Sequence, residues 1–213
     1  MIIFPLAFYF EFEQYVFCIK KLLGGLQMSK IAIITGSTRD NRVNLQVAEY
    51  LLNFAQTNFP DHQFEIVDIK EYDLPTFNEA MPPGFTTERN HPNVKRFSQK
   101  ISESDGFIFV TPEYNRATSS SLKNAIDSLY HEWNHKPAGI ASYGGQLGAS
   151  AATSLRSILA NLKVATVASQ ATFSIMTDFE NMAAFKPAEY HAGSIKGLFE
   201  DILLWSKAFE SIR

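Results

Sequence analysis

The stretch from Lys30 to Leu52, KIAIITGSTRDNRVNLQVAEYLL, limits the folds open to this chain more than any other segment. Ile31 to Thr35 is a continuous apolar and β-branched run of the length of a central strand buried on both faces. A polar turn follows at once, in which Gly36-Ser37-Thr38-Arg39-Asp40-Asn41-Arg42 gathers a glycine, two hydroxyls and two guanidinium groups. Ala48, Leu51, Leu52 and Ala55 then recur at i, i+3, i+4 and i+7, which predicts a helix with Asn44 as its N-cap. Strand, polar turn and helix N-terminus together make an anion site. Unpaired backbone N–H groups and the positive end of the helix dipole converge where Ser, Thr and Arg side chains also donate. Small polar residues serve a purely structural βα turn equally well, so the turn alone leaves both readings open. It carries neither G-x-x-x-x-G-K-[ST] nor G-x-G-x-x-G, and a monophosphate therefore suits it better than a diphosphate.

The same alternation continues along the chain. Gln63 to Ile69, Gly106 to Val110, Ala138 to Ser142 and Val164 to Ala168 read as four further strands. Apolar stripes at Val94, Phe97 and Ile101, at Leu122, Ala125, Ile126 and Leu129, and at Ala151, Leu155, Ile158 and Leu162 predict helices between them. A last helix is predicted over about Ser194 to Glu210. Five strands alternating with five helices predict an α/β fold, a flavodoxin-like doubly wound five-stranded parallel sheet of order 2-1-3-4-5. In such a sheet, ligands sit outside the carboxyl ends of the strands, at the switch between the first and third. One long connection stands out, because Asp73 to Glu79 and Pro82-Pro83-Gly84 leave no room for a regular element before Pro92.

A chain of 213 residues with 46% apolar content can bury a sizeable core as one domain, expected over residues 28–213. A net charge of −3 gives no basic field for nucleic acid. One cysteine, Cys18, excludes a disulfide framework within the chain and fits a reducing, cytoplasmic compartment. No Cys and His spacing of a zinc site appears, so no metal is expected. Residues 1–27 are aromatic-rich, and Glu11 and Glu13 interrupt their apolar run after ten residues, too few for a membrane span. They read as an extension outside the domain, with an interfacial anchor as the second reading.

Three polar loops leave strands at the same edge. The first is the turn at Gly36; the second is Thr111-Pro112-Glu113-Tyr114-Asn115-Arg116; the third is Tyr143-Gly144-Gly145-Gln146-Leu147-Gly148. Tyr114 offers an aromatic face, and Gly144 and Gly145 let a ring system approach the backbone. A flat heterocycle bearing one phosphate is FMN. Through GSTRDNR, LPTFNE, TPEYN followed by LKNAID, and KPAGIASYGG, the chain resembles the NADPH-dependent FMN reductase family of flavodoxin-like flavoproteins. The resemblance covers Lys30 to the final helix. It implies phosphate binding by Ser37, Arg39 and Arg42, with Asn44 among the cofactor-binding positions. It also implies ring contacts from Pro112, Glu113, Tyr114 and Asn115, and from Tyr143, Gly144 and Gly145.

By the same resemblance the activity is an NAD(P)H-dependent oxidoreductase, with NADPH or NADH as hydride donor. Hydride passes through bound FMN to a small-molecule electron acceptor, a flavin, quinone or similar compound, by a ping-pong mechanism, and no protein acid or base is required. A homodimer or homotetramer is implied, with LPTFNE and Trp133 read either as candidate contacts or as residues buried within one subunit. The alternative is a flavodoxin-type electron carrier without nicotinamide turnover. GSTRDNR and the small net charge favour the enzyme.

Overall fold

A computed structural model describes residues 28–213, so Cys18 and the expectations for residues 1–27 lie outside the described residues. Five strands form one parallel sheet: β1 Lys30–Thr35, β2 Gln63–Asp68, β3 Gly106–Pro112, β4 Pro137–Gly144 and β5 Ala165–Ser174. Their order is β2-β1-β3-β4-β5, the expected one. The helices are α1 Asn44–Asn58, α2 Pro92–Ser102, α3 Ser120–Asp127, α4 Ala149–Asn161 and α5 Ala192–Phe209.

Strand periodicity explains how one apolar run serves two cores. Ile31 and Ile33 turn to the face covered by α1 and α5, where Val47, Leu51, Ile195 and Leu198 meet them. Ala32 and Ile34 turn to the opposite face, against Phe97 of α2, Leu122 of α3 and Leu155 of α4. Trp133 belongs to this second core. It is fully buried, its ring centroid lies 5.0 Å from Phe107, and its indole N–H donates to Ile126 O at 3.1 Å. Of the two readings of Trp133, burial within the subunit is the one observed: it is an interior packing residue.

Two further features depart from the sequence reading. β5 runs six residues beyond Ala168, to Ser174. It is an edge strand whose register against β4 shifts between Ala138 and Ile140, so Ser169 and Gln170 are accommodated without an apolar pattern. After it comes a short antiparallel hairpin, β6 Phe179–Glu180 and β7 Ala184–Phe185. Three residues, Asn181, Met182 and Ala183, connect its strands, and the first two have positive φ, 52° and 57°. Gln46 of α1 holds this hairpin at its turn and on β7, donating to Ala183 O at 3.0 Å and accepting from Phe185 N at 2.8 Å.

Candidate functional site

Loop one leaves β1 at Gly36. A Cβ at that position would lie 2.6 Å from Val110 O, so only glycine lets the turn pass this close to β3. Asn44 fastens the same approach: its side-chain oxygen accepts from Gly36 N at 2.8 Å and its amide donates to Val110 O at 3.0 Å. Asn44 is fully buried and is the first residue of α1, while the N-cap is Val43, which makes no side-chain cap. The predicted N-cap role of Asn44 is thus corrected, because its amide is consumed by two strands instead.

The two arginines of loop one have different fates. Arg42 forms an ion pair with Asp68 at the end of β2 and donates to Ser37 O at 2.7 Å, with its side chain 10% exposed. Its charge is neutralised, and it braces the turn. Arg39 has no carboxylate partner among the described residues, and its guanidinium carbon lies 5.9 Å from the Tyr114 ring centroid. Ser37 Oγ and the Tyr114 hydroxyl stand 3.0 Å apart. Ser37, Arg39 and Tyr114 are therefore gathered at one point, and Arg42 reaches the same cleft with its charge already paired.

Loop two continues from β3. Pro112 is buried, and the Glu113 carboxylate turns away to accept the N–H groups of Ser150 and Ala151 at 2.9 and 3.3 Å. There a negative group meets the positive end of α4. Glu113 N donates to Tyr143 O at 3.0 Å, which ties loops two and three together. Asn115 is exposed at the head of a tight turn. On loop three, Tyr143 packs its ring 5.5 Å from Phe179, and burial pushes its phenol well above the usual tyrosine range, so it stays neutral. Gly144 and Gly145 follow, and a Cβ added to Gly145 would meet nothing within 4 Å.

These three loops enclose a cleft of about 330 Å³, walled by Arg39, Pro112, Tyr114, Tyr143, Gly144 and Gly145, with Ile175 and Met182 from beyond β5. A larger cleft of about 810 Å³ opens beyond Thr38, between loop one, Phe77 and the start of α3. Its two lysines are already matched, Lys70 to Asp40 and Lys123 to Asp127. The smaller cleft brings together Arg39, which has no carboxylate partner among the described residues, the ring of Tyr114 and the open backbone at Gly144 and Gly145. Among the described residues, no group of three or more His, Cys, Asp or Glu stands ready to hold a metal. No described helix is long and apolar enough to cross a membrane.

Three participants escaped the sequence reading. Asp68 also accepts from Thr35 Oγ1 at 2.8 Å, which makes it the anchor of the turn, and its signal was an acidic residue ending a buried strand. Ser119 caps α3 by accepting from Leu122 N at 3.0 Å and donates to Gly36 O. Gln46 had no local signal.

The fold is that of a flavodoxin-like α/β protein, with its polar loops and cleft at the carboxyl edge of the sheet. The sequence profile of the NADPH-dependent FMN reductases matches residues 29–178, and the chain belongs to that family. An NAD(P)H-dependent FMN reductase of Schizosaccharomyces pombe is 34% identical over 188 residues, 85% of this chain and 91% of that protein. A 2-hydroxy-1,4-benzoquinone reductase of a Burkholderia species is 38% identical over 130 residues, 61% of this chain and 62% of the relative. A flavoenzyme NAD(P)H:(acceptor) oxidoreductase from Paracoccus denitrificans shares the fold at a TM-score of 0.66 and 22% identity, across 85% of this chain and 99% of that one.

Proposed function

We propose that the protein is an NAD(P)H-dependent reductase of quinones, free flavin or similar small acceptors, working through bound FMN by a ping-pong sequence. The observation that carries this reading is Arg39, a guanidinium without a carboxylate partner among the described residues, beside a cleft whose far wall is Gly144 and Gly145. FMN bound there would supply the hydride-transfer chemistry between a nicotinamide and the acceptor. Ser37 and Arg39 hold the phosphate by charge-assisted hydrogen bonds. Pro112, Tyr114, Asn115, Tyr143, Gly144 and Gly145 border the ring. Arg42, Asn44 and Glu113 serve as braces, because their polar atoms are committed to Asp68, to Gly36 and Val110, and to the N-terminus of α4. No side chain in the cleft is asked to move a proton in this scheme.

The same proposal includes a homodimer or homotetramer, supported by the exposed Met81 and Phe85 on the long connection before α2. A cytoplasmic location belongs to it as well and rests on the single cysteine. The purified yellow protein should bleach anaerobically with NADPH or NADH and recover its colour on addition of a quinone. Initial-rate plots at several acceptor concentrations should be parallel. A protein that bleaches with dithionite but stays yellow with both nucleotides is an electron carrier and refutes the reductase.

A further inference from the structure

Loop two contains a backbone feature that ring binding leaves unexplained. Tyr114 N donates to Ala117 O at 2.9 Å and Ala117 N to Tyr114 O at 3.1 Å, which closes a two-residue turn. Its central residues, Asn115 and Arg116, have φ of 49° and 69°. A turn with both central residues left-handed strongly prefers Asn followed by Gly, since glycine alone takes the second position without steric cost. Arginine occupies that position here. A strained residue at the rim of a ligand cleft points to a demand on its side chain that the backbone does not make.

The side chain finds a neutral partner on the neighbouring loop. Arg116 donates from one guanidinium nitrogen to the Gln146 side-chain oxygen at 2.6 Å, bridging loops two and three just outside Tyr114 and Gly145, which line the cleft. Gln146 is neutral, and Arg116 makes no ion pair with a carboxylate among the described residues, so its positive charge is held in place and left unmatched. The nearest candidate on its own loop, Glu113, is committed to the N-terminus of α4. Arg39, the cation of the cleft wall without a carboxylate partner among the described residues, stands on loop one at the end of β1, whereas Gln146 follows β4, two strands away across β3. At about 4.8 Å between strands, the two loops leave the sheet roughly 10 Å apart. FMN carries one phosphate, which Arg39 and Ser37 account for. The second cation calls for a second anion.

We propose that Arg116 is a specificity-determining residue that docks a phosphate group of the dinucleotide hydride donor. This rests on the reductase reading, since a nicotinamide laid on the exposed ring brings its own phosphates over the rim formed by loops two and three. That phosphate is either the pyrophosphate, common to NADH and NADPH, or the 2′-phosphate, present only in NADPH. Gln146 positions the guanidinium and stays uncharged, so it does not compete for it.

Arg116→Gly suits the left-handed position and should keep the melting temperature and FMN content of the holoprotein at or above the wild-type level. The rate of anaerobic flavin bleaching, measured against nucleotide concentration, then isolates the donor step from the acceptor. A contact with the 2′-phosphate lowers the second-order rate for NADPH by on the order of tenfold and leaves NADH unchanged. A contact with the pyrophosphate lowers both alike. In either case Arg116→Lys should restore part of the loss, and the decline of the wild-type rate with added salt should flatten in Arg116→Gly. Unchanged bleaching by both nucleotides in Arg116→Gly overturns the proposal, as does a loss confined to the acceptor step. Wild-type protein that neither nucleotide bleaches overturns the reductase reading itself, and with it this inference.

Discussion

Asn44 separates two kinds of site residue, and removing its amide measures which kind it is. In Asn44→Ala the N–H of Gly36 and the carbonyl of Val110 lose their partner at a fully buried position. An orphaned buried backbone group costs about 1 to 3 kcal/mol, so the pair costs roughly 2 to 6 kcal/mol. For a domain of this size each kcal/mol moves the melting temperature by about 2 to 4 °C, and the middle of the range corresponds to a fall of roughly 8 to 16 °C. Asn44→Asp should fare no better. One carboxylate oxygen still accepts from Gly36 N, but the other is then set against the Val110 oxygen with no hydrogen between them. Thermal unfolding of the flavin-free protein followed by circular dichroism, with FMN affinity from fluorescence quenching, gives both quantities on one sample. A variant that melts within about 2 °C of the wild type yet binds FMN much more weakly would show that Asn44 touches the cofactor, and would refute the staple.

The remaining expectations concern other positions. Arg39→Ala should weaken FMN binding by about 1.5 to 3 kcal/mol, the worth of a charge-assisted contact, while the melting temperature of the flavin-free protein stays constant; fluorescence titration and melting curves test this. Gly36→Ala should cost about 1 to 3 kcal/mol, because its Cβ meets the Val110 carbonyl and Leu122 at 2.6 and 3.1 Å; denaturant midpoints at unchanged slope would record it. Lys136 lies buried with its ammonium on Ile101 O at 3.0 Å and Ser102 O at 3.2 Å, and burial pulls its pKa down to about 8. The unfolded chain holds that proton up to about pH 10.5, so this residue's contribution to stability rises between pH 8 and 10.5. Wild type should gain on Lys136→Met across that window by up to about 3 kcal/mol, and a flat difference would refute the assignment. A chain beginning at Met28 should match the full chain in flavin content and melting temperature, and a loss of several degrees would contradict this.

Much of the fold was legible because parallel strands buried on both faces leave unbroken apolar runs, as at Ile31 to Ile34 and Phe107 to Val110. The second half of β5 was not, since an edge strand is free to carry Ser169 and Gln170. The hairpin strands of two residues each are too short for any period to show. At the site, loop positions were readable but the division of labour was not. Arg39 and Arg42 are chemically equal in the chain, and what distinguishes them is Asp68, brought alongside by the pairing of β1 with β2. Glu113 likewise reads as a ligand until α4 arrives to take its carboxylate, a contact 37 residues away in sequence. Asn44 reads as a cap because asparagine caps helices well, and nothing local announces that two strands will claim its amide first.

Gln46 ties one wall of the cleft to the first helix. Its side-chain amide meets the hairpin at the turn, through Ala183, and on β7, through Phe185, and the same turn carries Met182 to the edge of the cleft. The helix that bears Gln46 begins just after the polar turn leaving β1, and Val47, Ala48 and Leu51, all of them sealed from water, seat it on the sheet. Two walls that lie far apart in the chain are therefore referred to one hydrophobic core, and a substitution that loosens α1 would be felt at both.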